Sequence, residues 1–303
     1  MKILCFRNSK LGDYLISIGS LNLIKKKYPG CEITYLTDKN KNLKYLPKKI
    51  ENDLIVKSVI YYDYSLKSLL NLIFKLRKIK FDKVINLQEE KFFLKKLRNY
   101  IFFSFCKIPK KISFFYKNQN YRQFSETVQL VKRVDINFKA SNIHDLNKPK
   151  IKNEKPILSG DYITISHGGF SSKLWDLKNW KILLRLFINN YNHKVIILGS
   201  KNEKKAANLL TQVNHKRIIS MCGSNLKELF NNIKFSKLHI TIDNGTMHVS
   251  TIYNKKVICL FDNTKDPYGK WFPENKNALI LIPKNGICEI TPYLVFNKIK
   301  NLI

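Results

Sequence analysis

The chain has 303 residues, 44% of them hydrophobic, a length that favours two domains of ordinary size and a composition normal for a water-soluble globular protein. Its apolar runs, such as residues 195–198 and 257–261, are far too short to span a membrane, and the N-terminus reaches Arg7 and Asp13 before a signal peptide's apolar core could form, so a cytoplasmic location is expected. Lys and Arg number 55 against 22 Asp and Glu, a formal net charge of +33, which suits an anionic partner: nucleic acid, phosphorylated lipid or a membrane surface.

In chain order, residues 3–6 read as a short apolar strand. Residues 11–28 follow as a helix with Leu15, Ile18, Leu21 and Ile24 at helical spacing and Pro29-Gly30 as its stop. Strands are expected at 32–36, 54–61, 83–87 and 111–115, and helices at 66–79, 91–105 and 125–134. Residues 147–160, with Pro149, Pro156 and Gly160 among Lys, Asn and Ser, read as a linker between domains 1–150 and 151–303. A second alternation then begins, with strands at 162–166, 194–198, 217–220, 238–242 and 256–261. Its helices fall at 177–191, 202–213, 226–233 and 247–252, and a last helix at 291–303 is free to pack back on the first domain. Alternation of this kind implies an α/β chain of two doubly wound parallel sheets in series, with a ligand cleft between them. Ligands of such sheets bind at the carboxyl ends of the strands, so the loops after strands are where chemistry is sought.

Six cysteines form no C-x-x-C pair and have no His at zinc-ligand spacing; Cys5, Cys106 and Cys259 lie in apolar runs and read as buried thiols. Lysine is spread along nearly the whole chain and Asn and Ile are abundant too, so most of the positive charge is compositional drift of an AT-rich genome. Lysine clusters at 25–27, 75–83 and 107–111 leave a residual bias of the first half toward an anionic ligand.

Four loops carry candidate chemistry. After the first strand comes Arg7-Asn8-Ser9-Lys10-Leu11-Gly12-Asp13, in which Gly12 permits close approach and Asp13 could accept a proton from an attacking hydroxyl. A first-turn carboxylate favoured by the helix dipole explains Asp13 equally simply. After the first strand of the second domain comes Ser166-His167-Gly168-Gly169-Phe170-Ser171-Ser172-Lys173-Leu174-Trp175, whose backbone N–H groups and ammonium suit a phosphate, although a plain strand-loop-helix connection would look similar. In Asp243-Asn244-Gly245-Thr246-Met247-His248, Asp243 or Asn244 can cap the next helix, and the N–H groups of Gly245, Thr246 and Met247 could face an anion. His248, one turn in, reads either as a phosphate contact or as a core histidine. Glu203 stands where an acidic residue often meets ribose hydroxyls, or is an exposed first-turn glutamate.

In this order the four loops resemble the family-nine glycosyltransferases, the bacterial lipopolysaccharide heptosyltransferases. Ser9-Lys10-Leu11-Gly12-Asp13 is similar to the family's S-x-x-G-D opening, residues 167–175 to its H-x-G…K-x-W loop, and residues 243–248 to its D-[ST]-G-x-x-H motif. Phe261-Asp262-Asn263-Thr264 is similar to its F-G-x-T loop. The resemblance implies a GT-B fold, two Rossmann-like domains facing a central cleft, with the acceptor on the first domain near Ser9 and Gly12 and the nucleotide sugar on the second. It implies inversion at the anomeric carbon without a metal and without a cofactor. It makes Asp13 the general base and Lys173 a donor-phosphate ligand. Gly245, Thr246 and His248 then hold the diphosphate, Glu203 the ribose, and Gly168, Gly169, Ser171, Asp243 and Asn244 complete the donor loops. Asn244 departs from the family's Ser or Thr, Asp262 from its Gly, and the loop before Lys173 is short, departures that bear on the donor more than on the reaction class.

A leaving diphosphate gains charge and needs a metal or fixed positive groups; the chain offers Lys173 and helix N-termini but no D-x-D after an apolar strand. The implied partners are a nucleotide diphosphate sugar, ADP-heptose by default, a lipid-linked anionic acceptor and the inner face of the cytoplasmic membrane. A basic nucleic-acid-binding protein is the rival class, but helix-turn-helix spacing, zinc-finger ligands and RNP-like strands are all missing. A relative using another nucleotide sugar or acceptor is the nearer alternative.

Overall fold

Apolar strands and amphipathic helices alternate along the chain in the structure, a computed structural model that describes residues 1–39, 55–121, 123–146, 156–169, 173–262 and 269–303. The chain divides into two compact units, Met1–Lys152 and Asn153–Ile303.

The first unit runs β1 (Lys2–Phe6), α1 (Leu11–Lys27), β2 (Glu32–Asp38), β3 (Ser58–Tyr62), α2 (Leu66–Ile79), β4 (Lys83–Asn86), α3 (Phe93–Phe105), β5 (Lys110–Ile112), α4 (Glu126–Val134) and a short α5 (Ile143–Leu146). Its five strands are parallel in the order β3-β2-β1-β4-β5. Buried on both faces, the strands read as continuous apolar runs rather than alternating ones, as parallel strands do. On one face α1 sets Tyr14 edge-to-face on Tyr35 of β2, and Gly19 lets α4 come close, since a Cβ there would lie 3.2 Å from Val131. On the other, Leu72 and Leu76 of α2 and Phe103 of α3 pack on Leu4, Phe6, Leu36, Ile60 and Val84.

The second unit runs β6 (Tyr162–Ser166), α6 (Leu177–Asn190), β7 (Lys194–Ile197), α7 (Lys204–Thr211), β8 (Ile218–Ser220), α8 (Leu226–Phe235), β9 (His239–Ile242), α9 (Gly245–Ile252), β10 (Val257–Leu260), β11 (Ala278–Leu281) and α10 (Pro292–Lys300). Its six strands are parallel in the order β11-β10-β9-β6-β7-β8. Within this unit α10 packs Val295, Phe296 and Ile299 into the same core as Leu183 and Phe187 of α6.

Most expected elements lie within a residue or two of where the sequence puts them. The edge strand β11 is an addition: its four residues are all only half-buried, and so short a run between Asn and Lys residues gives little periodic signal. β5 ends at Ile112 rather than 115 because Ser113 turns into the left-handed region, φ 65°. Residue 54 and linker residues 147–155 lie outside the described residues. Cys5, Cys31, Cys106, Cys222 and Cys259 are buried free thiols.

Candidate functional site

In the second sheet the strand order reverses between β6 and β9, so the loops after these strands open side by side at its carboxyl edge. The β6 loop holds His167, Gly168 and Gly169; Ser171 lies outside the described residues. A Cβ on Gly169 would come within 2.9 Å of the Ile242 side chain, and one on Gly168 or Gly199 would overlap the Glu203 carboxylate. These glycines therefore make room: for β9 in one case, and in the other for a carboxylate wedged between the β6 and β7 loops. Glu203 is held there by accepting the Ser200 backbone N–H.

Asn244 joins the β6 and β9 loops. Its Nδ2 donates to the Gly168 carbonyl at 2.8 Å, while its Oδ1 caps α9 by accepting from the N–H groups of Thr246 at 2.9 Å and Met247 at 3.4 Å. Two of the three amides expected to face an anion are thus engaged by the cap, and a phosphate would have to displace Asn244 to reach them. The Thr246 hydroxyl also turns inward, 2.7 Å from Asn244 Oδ1 and 3.0 Å from His239 Nε2. His239 is fully buried, with Nδ1 2.9 Å from Thr164 Oγ1, and burial lowers its pKa to about 3, so the ring is neutral. His248 is buried as well.

Lys173 meets the same edge. Its Nζ lies 2.5 Å from Asp243 Oδ2, with the two side chains 15% and 8% exposed. The segment bearing it is pinned by Trp175, whose Nε1 donates to the Ile290 carbonyl at 2.8 Å and whose ring meets Trp180 edge-to-face. An anion arriving here competes with a carboxylate for an ammonium that is already in place.

In the first sheet the order reverses between β1 and β4, and Asp13 sits beside that point as the third residue of α1. Its Oδ2 accepts the Lys10 N–H at 3.1 Å, and its Oδ1 lies 3.6 Å from Arg7 Nη2. The Arg7 guanidinium is buried; Nη1 donates to the Leu87 carbonyl at 2.8 Å and to Glu126 Oε1 at 3.1 Å. Burial opposes the Arg7 charge, but Glu126 and Asp13 outweigh it and raise the pKa. The Tyr121 hydroxyl lies 2.7 Å from Glu89 Oε1 and 3.0 Å from Glu126 Oε2, so its one proton serves one carboxylate at a time. Asp13 keeps a side-chain exposure of 30%, open enough to meet a ligand while being oriented from behind. Ser9 is buried and spent on the Tyr35 hydroxyl at 2.7 Å, so it anchors the loop, and Gly12 precedes Asp13 in the first turn of α1.

The structure thus gathers Gly168, Gly169, Lys173, Glu203, Asp243, Asn244, Gly245 and Thr246 at one sheet edge, and Ser9, Gly12 and Asp13 at the other unit's switch point. Sequence reasoning gave Arg7, Glu126 and His239 no role. Glu126 follows the N-cap Ser125 and reads as a first-turn acid, with nothing to tie it to Arg7 119 residues away. His239 carried a usable signal, a polar side chain inside an apolar strand. Among the described residues no group of three His, Cys, Asp or Glu could hold a metal ion, and no helix is long and apolar enough to cross a membrane.

Residues 69–289 match the family model of glycosyltransferase family 9 (heptosyltransferase). A lipooligosaccharide heptosyltransferase 2 of Campylobacter jejuni is 30% identical over 154 residues, 46% of this chain and 47% of that protein. The chain spans about half the length of the curated relatives it matches, 47% and 57%. Among solved structures, a family 9 glycosyl transferase from Veillonella parvula has a TM-score of 0.74 at 16% identity, over 99% of this chain and 96% of that one. E. coli heptosyltransferase WaaC with ADP-2-deoxy-2-fluoro heptose has a TM-score of 0.71 at 15% identity, over 99% of both chains. Identities this low speak to fold, the GT-B pairing of two Rossmann-like domains in series.

Proposed function

The chain belongs to glycosyltransferase family 9, and on that footing we propose that it transfers heptose from ADP-heptose onto the core of a lipopolysaccharide or a similar anionic glycolipid, with inversion and without a metal. The reading is carried by one observation: Lys173, Asp243 and Asn244 meet at the switch point of a doubly wound sheet, where nucleotides bind, with Glu203 beside it against the next loop. The curated relatives are lipooligosaccharide heptosyltransferases and a structural neighbour holds an ADP-heptose analogue, which supports both acceptor class and donor.

In this mechanism Asp13 takes the proton of the acceptor hydroxyl, whose oxygen attacks the anomeric carbon on the face opposite the diphosphate. The bond from that carbon to the phosphate oxygen breaks, and ADP carries the electron pair away. Lys173 shifts from Asp243 toward the leaving phosphate as its charge grows, so the contact strengthens in the transition state. Glu203 meets the ribose, and Gly245, Thr246 and His248 frame the diphosphate once Asn244 gives up the Thr246 and Met247 amides; Arg7 and Glu126 keep Asp13 aimed. The enzyme works in the cytoplasm at the inner face of the membrane that holds its acceptor. A thermal-shift panel of nucleoside diphosphates tests the donor: stabilisation by ADP above UDP and GDP is expected, and UDP or GDP selectivity would redirect the assignment.

A further inference from the structure

We propose that the outer surface of α2 and α3 is the face by which this protein docks on an anionic lipid bilayer. Both helices pack inward through Leu72, Leu76 and Phe103, yet both also carry an apolar line on the outside. On α2 it is Leu66, Leu70 and Phe74, each one helical turn apart; on α3 it is Leu94, Ile101 and Phe105, at intervals of seven and four. All six are between 44% and 75% exposed. Arg77 of α2 donates its Nε–H to the Phe105 carbonyl at 2.8 Å, so the two lines lie on neighbouring helices. Exposed apolar residues scattered singly need no explanation, whereas two adjacent lines on one layer mark a contact surface.

Charge identifies what covers it. The two helices carry seven basic side chains and no acidic one. From residue 66 to residue 111 there are 13 basic and 3 acidic residues, a steeper ratio than the 55 to 22 of the whole chain, so drift alone does not account for it. A second copy pressed face to face on this surface would set those charges against themselves. A nucleic acid would pair with the cations but leave the phenylalanines and leucines in water. A bilayer with anionic headgroups satisfies both: apolar side chains enter the boundary of the acyl chains, while lysine stems reach back to the phosphates. The proposal rests on the reading above only in that docking would bring the first unit to a membrane-held acceptor.

Flotation of the full-length protein with vesicles tests it without turnover. Binding is expected to phosphatidylcholine vesicles containing phosphatidylglycerol, reversed by high salt, and to be weak on phosphatidylcholine alone. The triple variant Leu70→Ser, Phe74→Ser, Phe105→Ser should bind the anionic vesicles at least about tenfold less, with unchanged melting temperature and ADP affinity. A second variant, Lys75→Gln, Lys78→Gln, Lys95→Gln, leaves both apolar lines unchanged and should lose most binding together with its salt dependence. The assignment is overturned if the wild-type protein does not float with anionic vesicles, if both variants float as it does, or if sedimentation shows a dimer that the triple variant dissolves. Transfer to a delipidated acceptor by the triple variant is expected to persist; its absence in the wild type as well would count against the transferase reading and leave the docking result standing.

Discussion

Replacing Lys173 with Met removes one half of a closely spaced, mostly buried ion pair and leaves Asp243, 8% exposed, without its ammonium. Removing one partner of such a pair costs about 3 kcal/mol, because the remaining charge stays desolvated. For a unit the size of Asn153–Ile303 that corresponds to a melting-temperature fall of about 6–12 °C. Turnover should fall by about two to three orders of magnitude, the usual effect of losing a fixed charge at a leaving group. A loss of activity in this variant alone could simply be instability. The double variant Lys173→Met, Asp243→Asn separates the two, since it removes the stranded charge: stability should return to within about 1 kcal/mol of wild type while transfer stays at the level of the single variant. Urea denaturation and steady-state kinetics on all four proteins of the cycle provide the readout. A single variant with normal stability and turnover would make Lys173 an ordinary surface lysine. A double variant that regained transfer would make the pair purely structural.

Asp13→Asn keeps the side chain's shape but not its basicity, and should slow transfer by about two to four orders of magnitude with ADP affinity unchanged; near-normal turnover would remove it as base. Asn244→Ala loses the cap of α9 and the bridge to Gly168, which should lower stability by about 2–3 kcal/mol, whereas Asn244→Ser should recover the cap, about 1 kcal/mol of it, in urea titrations. His239 predicts an acid-sensitive core. Its folded pKa, about 3, lies below the unfolded 6.5, so on lowering the pH the unfolded chain takes up the proton first. The stability it contributes is complete above pH 6.5 and declines progressively down to about 3, with about 2 kcal/mol lost by pH 5. His239→Gln should flatten that loss when the two proteins are unfolded in urea at both ends of the range. EDTA should leave transfer unchanged, and strict dependence on added magnesium or manganese would refute the metal-free mechanism.

The fold was legible because parallel strands buried on both faces leave short, continuous apolar runs, and because Pro29-Gly30 and the stretch with Pro149, Pro156 and Gly160 punctuate the alternation. The loops after β1, β6 and β9 were legible for the same reason: once the strands are placed, the carboxyl edge follows. What escaped was pairing across distance. That Lys173 would meet Asp243, or that one asparagine would both cap α9 and hold the Gly168 carbonyl, depends on which strands become neighbours, and β6 lies beside β9 only through a reversal of strand order. Nor does local sequence report direction: Thr246 belongs to a loop that reads as a phosphate cradle, yet its hydroxyl points at a buried histidine.

The link between Arg7 and Glu126 has a consequence for how the protein is made. Arg7 orients Asp13 from behind, and its own carboxylate partner is 119 residues further along the chain. At a synthesis rate of 5–20 residues per second, about 6–24 s pass between the addition of one residue and the other. During that interval the amino-terminal loop exists without the carboxylate that holds its guanidinium, so the surroundings of Asp13 are completed late, when α4 docks on α1. A nascent chain arrested before α4 would have β1, α1 and every residue of the Arg7–Asp13 loop, and still lack the Glu126 that fixes Arg7 behind Asp13.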